Sequence, residues 1–277
     1  TRKGSTTGNN SANTGAIGSA ATFDPTQPVR VNSTRFGGFF EHLDPNSVRG
    51  LNALSPRNPV GLLEQTNDRT TVKRSVGNIV FDYKFHFLPE LRANLNLGYD
   101  VAVGTGGVYV NDSAAQDYRR YQDAGGIFHG GRRTQFRQER KNKVMEFYLN
   151  YVKELKSIRS RIDATAGYSY NDFLTTNFAF DDKTANQTII PENKPLFARD
   201  FPQYTLISVY GRLNYSVMNK YLVTATIRRD GSSRFGKDFR WGNFPSVAVA
   251  WRLKEESFLK DSRLFSDLKL RASYGIT

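Results

Sequence analysis

An all-β fold, and specifically an antiparallel transmembrane β-barrel, is predicted by three features of the 277-residue sequence. Eight segments alternate apolar with polar or small residues, as a strand with one apolar face does. The connections between these segments are alternately short and long. No apolar run approaches the roughly 18 residues of a membrane-spanning helix, whereas a barrel is signalled by alternation and is not excluded.

The eight predicted strands occur in order along the chain. They are residues 78–87, 91–103, 145–155, 162–171, 207–217, 220–228, 246–253 and 268–274. In the first, Phe81 and Phe85 share one face, while Asp82 and Lys84 share the other. A charge facing lipid costs roughly 2–4 kcal/mol at the membrane midplane, which explains why charged residues keep to the polar face. Lys153 breaks this rule, but it lies next to a short turn, from which its amine can reach the interface.

The connections give the predicted strands an orientation. Residues 88–90, 156–157 and 218–220 form short turns, whereas residues 104–143, 173–203 and 229–245 form longer loops. Connection 254–267 is longer than the other turns on its side and has room for one helical turn. Outer-membrane barrels have short periplasmic turns and long extracellular loops. We therefore expect a partial set of about eight barrel strands at 72–277, with residues 1–71 forming an extracellular loop region.

The composition excludes some kinds of chemistry but does not identify a binding partner. The chain has no cysteine, which excludes disulfides, thiol nucleophiles and zinc sites built on thiolates. Its net charge of +13 would suit nucleic acid, but it would equally suit the anionic lipopolysaccharide surface of an outer membrane. The segment from Gly125 to Lys143 mixes arginines with aromatic residues, and we expect it to be a solvated extracellular loop that does not bind nucleic acid.

No residue is assigned a catalytic, cofactor-binding or metal-binding role. The three histidines, His42, His86 and His129, lack paired ligand spacing. The adjacent acidic pairs are weak candidates for glycosidase carboxylates, namely Asp181 with Asp182 and Glu255 with Glu256. Several loop aromatics could stack on sugar rings or pack the loops together: Tyr109, Tyr118, Tyr121 and Phe128. Substrate-binding residues are therefore left unassigned, and no cofactor is expected.

The glycine- and arginine-rich stretch RDGSSRFGKDFRWGNFP, residues 229–245, joins two predicted strands. A phosphate cradle would require a following helix, and no helical pattern follows. We expect a shaped hairpin connection in which Gly231 and Gly236 permit positive φ angles.

RRDGSSRFG, RWGNFPSVAVAWR and LKLRASYG together closely resemble the SusC/RagA type of TonB-dependent transporter from Bacteroidetes outer membranes. ATFDPTQPV and NPVGLL near the N-terminus also resemble that family, so the resemblance extends over nearly the whole chain from about Ala21. It implies a barrel of about 22 strands closed by a plug, and a location in the cell outer membrane. It also implies non-enzymatic import of oligosaccharides or peptides, with a SusD-like surface lipoprotein as partner and energy from the TonB complex through the plug.

The sequence lacks a plug and stops in mid-alternation, so we expect a fragment of a longer barrel. Two alternatives remain open. One is a small self-contained outer-membrane barrel, acting as a passive pore or adhesin-like module, in which the eight strands close alone. The other is a soluble, basic nucleic-acid binder, which would show salt-sensitive binding without detergent.

Overall fold

The protein, seen in a computed structural model, consists mainly of long antiparallel strands, and the structure describes residues 2–3 and 15–277. Two short helices lie near the N-terminus, α1 (Ala16–Thr22) and α2 (Pro59–Glu64). The strands are β1 (Arg2–Lys3), β2 (Thr66–Lys84), β3 (Leu91–Val110), β4 (Tyr121–Gln122), β5 (Phe128–His129), β6 (Arg132–Leu155), β7 (Ser160–Phe178), β8 (Arg199–Asp200), β9 (Gln203–Val217), β10 (Tyr221–Ser232), β11 (Trp241–Arg252) and β12 (Lys269–Gly275).

One sheet contains ten of these strands, in the order β1-β2-β3-β6-β7-β9-β10-β11-β12, with β8 added beside β7. The eight predicted strands correspond to β2, β3, β6, β7, β9, β10, β11 and β12, so the all-β antiparallel prediction is confirmed. In the described part of the chain the sheet stays open, because β1 and β12 stand at its two ends and do not pair.

The strand register places apolar residues of neighbouring strands on one face of the sheet and polar residues on the other. On β9, Leu213 lies opposite Ala225 of β10 and Ala164 of β7, so the apolar positions of three strands coincide. The next residue, Arg212, lies opposite Thr226 and Thr165. Because successive side chains point to opposite faces, this register fixes one apolar and one polar face.

The predicted strand boundaries near the long loops are wrong. β3 continues to Val110 and β6 begins at Arg132, so the predicted loop 104–143 shrinks to residues 111–131. Residues 132–143, predicted as a loop, are strand. This segment is polar on both faces, so it carries no alternation signal, yet backbone pairing can continue wherever both faces meet water.

The chain divides into two compact units. Unit 1 comprises the described residues up to Lys73, together with Ala102–Glu139 and Thr176–Phe201. Its hydrophobic core contains Phe36, Leu51 and Ala115, with Tyr118 packed against them. The N-terminal residues predicted as a loop region thus contribute Phe36 and Leu51 to a small core that they share with Ala115 and Tyr118. Residues 1 and 4–14 of that region lie outside the described residues.

Unit 2 comprises Arg74–Val101, Arg140–Thr175 and Pro202–Thr277, and it has a different character. Among the described residues, the fully buried hydrophobic side chains all lie in unit 1. The apolar side chains of unit 2 lie on the surface of a single-layer sheet, and its buried side chains are polar: Ser160, Asp172 and Ser208. Neither helix in the described part of the chain has the length and apolar character needed to cross a membrane.

Candidate functional site

The apolar face of unit 2 is exposed over several adjacent strands. We define it by residues that alternate with polar neighbours and are more than a third exposed: Leu97, Phe147, Leu213, Val223, Ile227, Val247, Val249 and Leu270. Water-soluble monomers rarely expose contiguous apolar surface of this extent. The outward band of a membrane barrel consists of such a surface.

Both tryptophans of the chain lie on this apolar face, at the two ends of β11. The Arg229 guanidinium lies 5.1 Å from the Trp241 ring centroid, and Trp251 stacks on Tyr221 with a centroid distance of 6.3 Å. Ten residues separate the tryptophans, which is about 33 Å along a strand. A tilt of about 40° reduces this to roughly 25 Å, the height of the apolar band of outer-membrane barrels. The spacing of the tryptophans therefore matches the separation of the two aromatic girdles of such barrels.

The polar face of unit 2 carries ion pairs and hydrogen bonds between strands, and one of them, from Tyr210 on β9 to Glu146 on β6, passes across the intervening strand β7. Arg74 donates Nε and Nη2 to the two carboxylate oxygens of Asp100, at 2.7 and 2.9 Å. Similar contacts are Asn150 Nδ2 to Asp163 Oδ1 at 2.9 Å, Tyr210 Oη to Glu146 Oε1 at 3.1 Å, and Thr224 Oγ1 to Asn214 Oδ1 at 2.9 Å. Polar side chains on the predicted polar parity thus bond to one another across strands there, and Arg74 with Asp100 forms an ion pair.

At the β10–β11 hairpin, this polar face holds a compact charged group. Arg228 Nε donates to both carboxylate oxygens of Asp230, at 2.7 and 2.9 Å, and its Nη2 donates to Ser208 Oγ at 3.0 Å. Asp230 lies inside the stretch 229–245 singled out from the sequence and Arg228 directly precedes it, but neither residue was predicted as part of a site. The alternation along the sequence places Arg228 and Asp230 on the polar side of their strand. The β10–β11 register, in which Arg228 lies opposite Phe244, then places Phe244 on the same face.

The Lys153 side chain extends toward the short connection between β2 and β3. Its Nζ lies 3.5 Å from Glu90 Oε1, in the short connection between β2 and β3. The side chain therefore reaches an acidic partner beyond the strands, although its backbone position lies on the apolar parity.

The predicted reason for the hairpin glycines is wrong. Gly231 and Gly236 do not adopt positive φ: Gly231 is part of β10, opposite Trp241, and Gly236 has φ −57°. A methyl group on Gly231 would lie 2.7 Å from Trp241 Cζ3, and one on Gly242 would lie 2.7 Å from Phe244 Cζ. Gly231 and Gly242 therefore leave room for aromatic rings over the backbone, whereas a methyl group on Gly236 would meet no atom within 4 Å.

The aromatic residues predicted to lie in loops contact other residues of unit 1, although Tyr109, Tyr121 and Phe128 lie in strands β3, β4 and β5. Tyr118 packs edge-on against Phe36 with a centroid distance of 4.9 Å, and Tyr121 stacks on His129 at 6.2 Å. Arg133 lies 5.4 Å from the Tyr109 ring, and Arg119 lies 5.2 Å from the Phe128 ring. These contacts pack the four aromatic residues against neighbouring parts of unit 1.

Each histidine has a local environment of its own. His42 contacts Phe23 and Phe40, and His86 contacts Tyr83. His129 Nε2 lies 2.8 Å from Asp123 Oδ2, and the hydrogen bond with His129 is the largest cause of the lowered pKa of Asp123. Within residues 15–277, His, Asp and Glu side chains form no group of three or more suited to a metal ion.

In each acidic pair considered as a weak glycosidase candidate, one carboxylate is held by hydrogen bonds to other side chains. Asp182 forms a bidentate ion pair with Arg120 and accepts from Asn193 Nδ2 at 2.8 Å. Glu256 accepts from Lys220 Nζ at 2.9 Å, Tyr221 Oη at 2.7 Å and Trp251 Nε1 at 3.1 Å. The hydrogen bond from Lys220, followed by those from Tyr221 and Trp251, lowers the pKa of Glu256 to about 2.

A buried carboxyl group lies in the N-terminal part of unit 1. The Glu41 side chain is 2% exposed, and its Oε1 accepts from the backbone amide of Asn58 at 3.0 Å. Burial raises the pKa of Glu41 to about 7, although the Asn58 amide and the Arg57 guanidinium favour the charged form. Asn58 caps α2 by accepting from the amides of Val60 and Gly61, both at 3.1 Å.

With the two faces defined, comparison with known proteins decides the family. The sequence profile of the family "TonB dependent receptor-like, beta-barrel" matches residues 3–276. The chain belongs to this family. Its members are outer-membrane receptors and not enzymes, so the predicted outer-membrane location is confirmed.

The relatives agree with the predicted SusC/RagA resemblance. The chain is 39% identical to the TonB-dependent receptor SusC of Bacteroides thetaiotaomicron over 97% of its length, and 36% identical to the TonB-dependent receptor P39 of Formosa agariphila over 50%. Among solved structures, the RagAB peptide transporter matches 86% of the chain with a TM-score of 0.66 at 17% identity. The chain spans only 27% of SusC and 26% of the RagAB chain.

Proposed function

We propose that this chain forms part of the barrel wall of a TonB-dependent outer-membrane transporter that imports oligosaccharides or peptides. The chain would contribute a lipid-facing surface, a polar surface toward the lumen and loops at the cell exterior. No covalent chemistry is assigned to it.

The two-faced sheet of unit 2 is the observation that supports this proposal. Its apolar side chains are exposed on one face, and its charged side chains pair across strands on the other. A water-soluble sheet of this size would bury its apolar face against a second layer. Lipid on one side and an aqueous lumen on the other satisfy both faces without such a layer.

Because the sheet is open, we infer that further strands complete the barrel. Every backbone amide in hydrocarbon needs a partner, so the outer edge of β12 requires a neighbouring strand. We assign that strand to the remainder of a larger barrel, of about 22 strands by family resemblance. In this arrangement residues 1–71 and the long connections are extracellular, and the connections after β2, β6, β9 and β11 are periplasmic.

We assign three partners to the complete protein. A SusD-like lipoprotein would deliver substrate at the extracellular loops, and the TonB complex would act through a plug. Lipopolysaccharide would surround the extracellular end of the barrel. The solved RagAB relative is a peptide transporter, which supports peptides as one of the two substrate classes.

Gene deletion and complementation in the native host test this proposal. The deletion strain should lose growth on at least one oligosaccharide or peptide as sole carbon source. The full-length gene should restore that growth only while the proton gradient is intact, because TonB-dependent import requires energy. Growth that is unaffected by the deletion on every oligosaccharide and peptide tested would contradict import, and growth that persists with a protonophore would indicate a passive pore.

A further inference from the structure

A basic pocket of about 320 Å³ lies in unit 1, on the part of the sheet where β2, β3 and β6 are neighbours. Of the described residues that line it, two are arginines and none is acidic. Six of the lining residues carry the inference: Asn67, Arg69, Gly107, Tyr109, Arg133 and Gln135. The pocket is therefore suited to an anionic group.

The floor of the pocket is strand backbone at Gly107 in β3. A methyl group on Gly107 would lie 2.6 Å from the carbonyl oxygen of Thr134, so no side chain fits there. Arg69 and Arg133 lie on the two strands that flank β3, and the backbones of these strands are about 10 Å apart. Both side chains are long enough to contact one group bound above Gly107.

The two guanidinium groups keep their positive charge. Arg69 Nε donates to Asn67 Oδ1 at 3.1 Å, and the Arg133 guanidinium lies 5.4 Å from the centroid of the Tyr109 ring. An amide and a phenol ring are neutral partners, so they position the arginines without neutralising them. Both arginines are exposed, so a ligand can reach them.

A smaller cavity of about 150 Å³ adjoins the basic pocket and shares Arg133 and Gln135 with it. It adds one basic and one acidic residue, Lys183 and Asp181, whose charges offset each other. The two cavities taken together therefore remain positively charged.

The basic pocket lies on the side of β2, β3 and β6 that carries apolar residues farther along the same strands. Its side chains have odd residue numbers on all three strands, as do Phe81, Leu97 and Phe147. Because successive side chains alternate between the two faces of a sheet, equal parity means the same face.

The pairing of β3 with β6 preserves this parity. A methyl group on Gly98 would contact Val144, and one on Gly106 would contact Phe136. The two contacts are eight residues apart on both strands, so the register does not change between them. The pocket therefore opens on the outer surface of the proposed barrel and not into its lumen.

The position of the pocket along β3 places it beyond the apolar residues. Val103 ends the alternating apolar run, and Gly107 follows about 13 Å farther along the strand. This direction leads to the connection 111–131, which the proposed orientation places outside the cell. The pocket thus lies on the lipid side of the wall, at the level of polar lipid groups.

We propose that this pocket binds a phosphate group of lipopolysaccharide through Arg69 and Arg133. A phosphate monoester has a charge of about −1.5 to −2 at pH 7, which matches two guanidinium groups. The planar guanidinium also presents paired N–H donors that fit two phosphate oxygens at once. This inference rests on the membrane orientation given in the proposed function, and it concerns a lipid partner and not the imported substrate.

The test uses the purified full-length protein in detergent and fluorescently labelled lipopolysaccharide from the native host, titrated by fluorescence anisotropy. Arg69→Gln and Arg133→Gln should each raise the Kd about tenfold, because each removes one charged hydrogen-bonding group. Arg137→Gln is the matched control. Arg137 lies on β6 with the same parity as Arg133, but it pairs with Glu139 at 2.7 Å and lies outside the pocket. Its Kd should change less than twofold.

Enzymatically dephosphorylated lipopolysaccharide and inorganic phosphate test the chemistry of the ligand. The parent should bind the dephosphorylated lipid about tenfold more weakly or worse, and inorganic phosphate far more weakly than intact lipid. An equal Kd for the parent and either pocket variant would overturn the site, as would equal binding of intact and dephosphorylated lipid. Inorganic phosphate that binds as tightly as the lipid would overturn the lipid assignment. Failure of the import proposal is separate, because it appears as unchanged growth of the deletion strain.

Discussion

At the residue scale, the carboxylate of Glu256 ties the connection 253–268 to the ends of two strands. It accepts hydrogen bonds from Lys220, Tyr221 and Trp251, which lie at the start of β10 and the end of β11. Tyr221 and Trp251 belong to the apolar face, so the carboxylate orients both rings of this aromatic girdle.

We predict that Glu256→Gln lowers the thermal stability of the protein in detergent at pH 7, because an amide accepts more weakly and does not attract Lys220. The folded-state pKa of about 2 lies below the ordinary value of 4.5. The stabilisation is therefore complete above pH 4.5 or so and is lost as the pH falls toward 2. Unfolding temperatures measured from pH 7 to pH 3 should converge for parent and variant.

Glu255→Gln is the control for this measurement, since the Glu255 carboxylate takes no part in the cluster. A difference between parent and Glu256→Gln that stays constant down to pH 3 would show that the effect is unrelated to the carboxylate charge.

Glu41 has the opposite pH dependence. Its folded-state pKa of about 7 lies above the ordinary value of 4.5, so the folded N-terminal segment is favoured at low pH and loses stability as the pH rises through this range. The shift corresponds to a free energy on the order of 3 kcal/mol. Hydrogen exchange of the α2 amides, corrected for intrinsic rates, should show greater protection at pH 5 than at pH 8.

Glu41→Gln should abolish this difference, because the amide oxygen still accepts from Asn58 and carries no charge to desolvate. Glu64→Gln serves as the control, since Glu64 is exposed in the same segment. Persistence of the pH dependence in Glu41→Gln would place its origin elsewhere.

At the element scale, each strand of unit 2 separates charge from apolar surface by side-chain parity. We predict that Leu213→Arg impairs outer-membrane assembly far more than Arg212→Leu. Both residues lie on β9, and the two substitutions involve the same pair of side chains, leucine and arginine. Leu213 is on the apolar face, whereas Arg212 is on the polar face. The first change costs roughly 2–4 kcal/mol if the site is near the midplane. The fraction of heat-modifiable protein in outer-membrane preparations measures this, and equal effects would mean that the faces are assigned wrongly.

Alternation identified the elements of the sheet, but not their full lengths. Leu91 to Val103 was recognisable as a strand because apolar residues recur at every second position. The extensions to Val110 and from Arg132 lack this pattern, because no apolar face is needed where both sides of a strand meet water. Backbone pairing decides those boundaries, and single-strand patterns do not report it.

The candidate site could be predicted only in part for a similar reason. Parity places Arg228, Asp230 and Phe244 on one face, which the sequence allows. Their proximity depends on the β10–β11 register and on a ring lying over Gly242. Gly231 suggested a turn with positive φ, whereas it lies in β10 and leaves room for the Trp241 ring.

At the scale of the whole molecule, the two units are stabilised in different ways. Unit 1 has a conventional, if small, hydrophobic core, and unit 2 has a single-layer sheet with exposed apolar side chains. Such a sheet is stable only where its apolar face leaves water. Membrane insertion is thus a condition of the fold of unit 2 as well as of its proposed role in import.

The most direct test of this arrangement is cysteine labelling on intact cells, using the full-length protein and a membrane-impermeant maleimide. The chain has no cysteine, so one can be introduced at a chosen position. Leu196, 93% exposed in the connection after β7, and Leu264, 81% exposed in the connection after β11, mark the proposed outer and inner sides. We predict that Leu196→Cys is labelled on intact cells and that Leu264→Cys is labelled only after the outer membrane is permeabilised. Labelling of Leu264→Cys on intact cells, with Leu196→Cys protected, would contradict the proposed orientation.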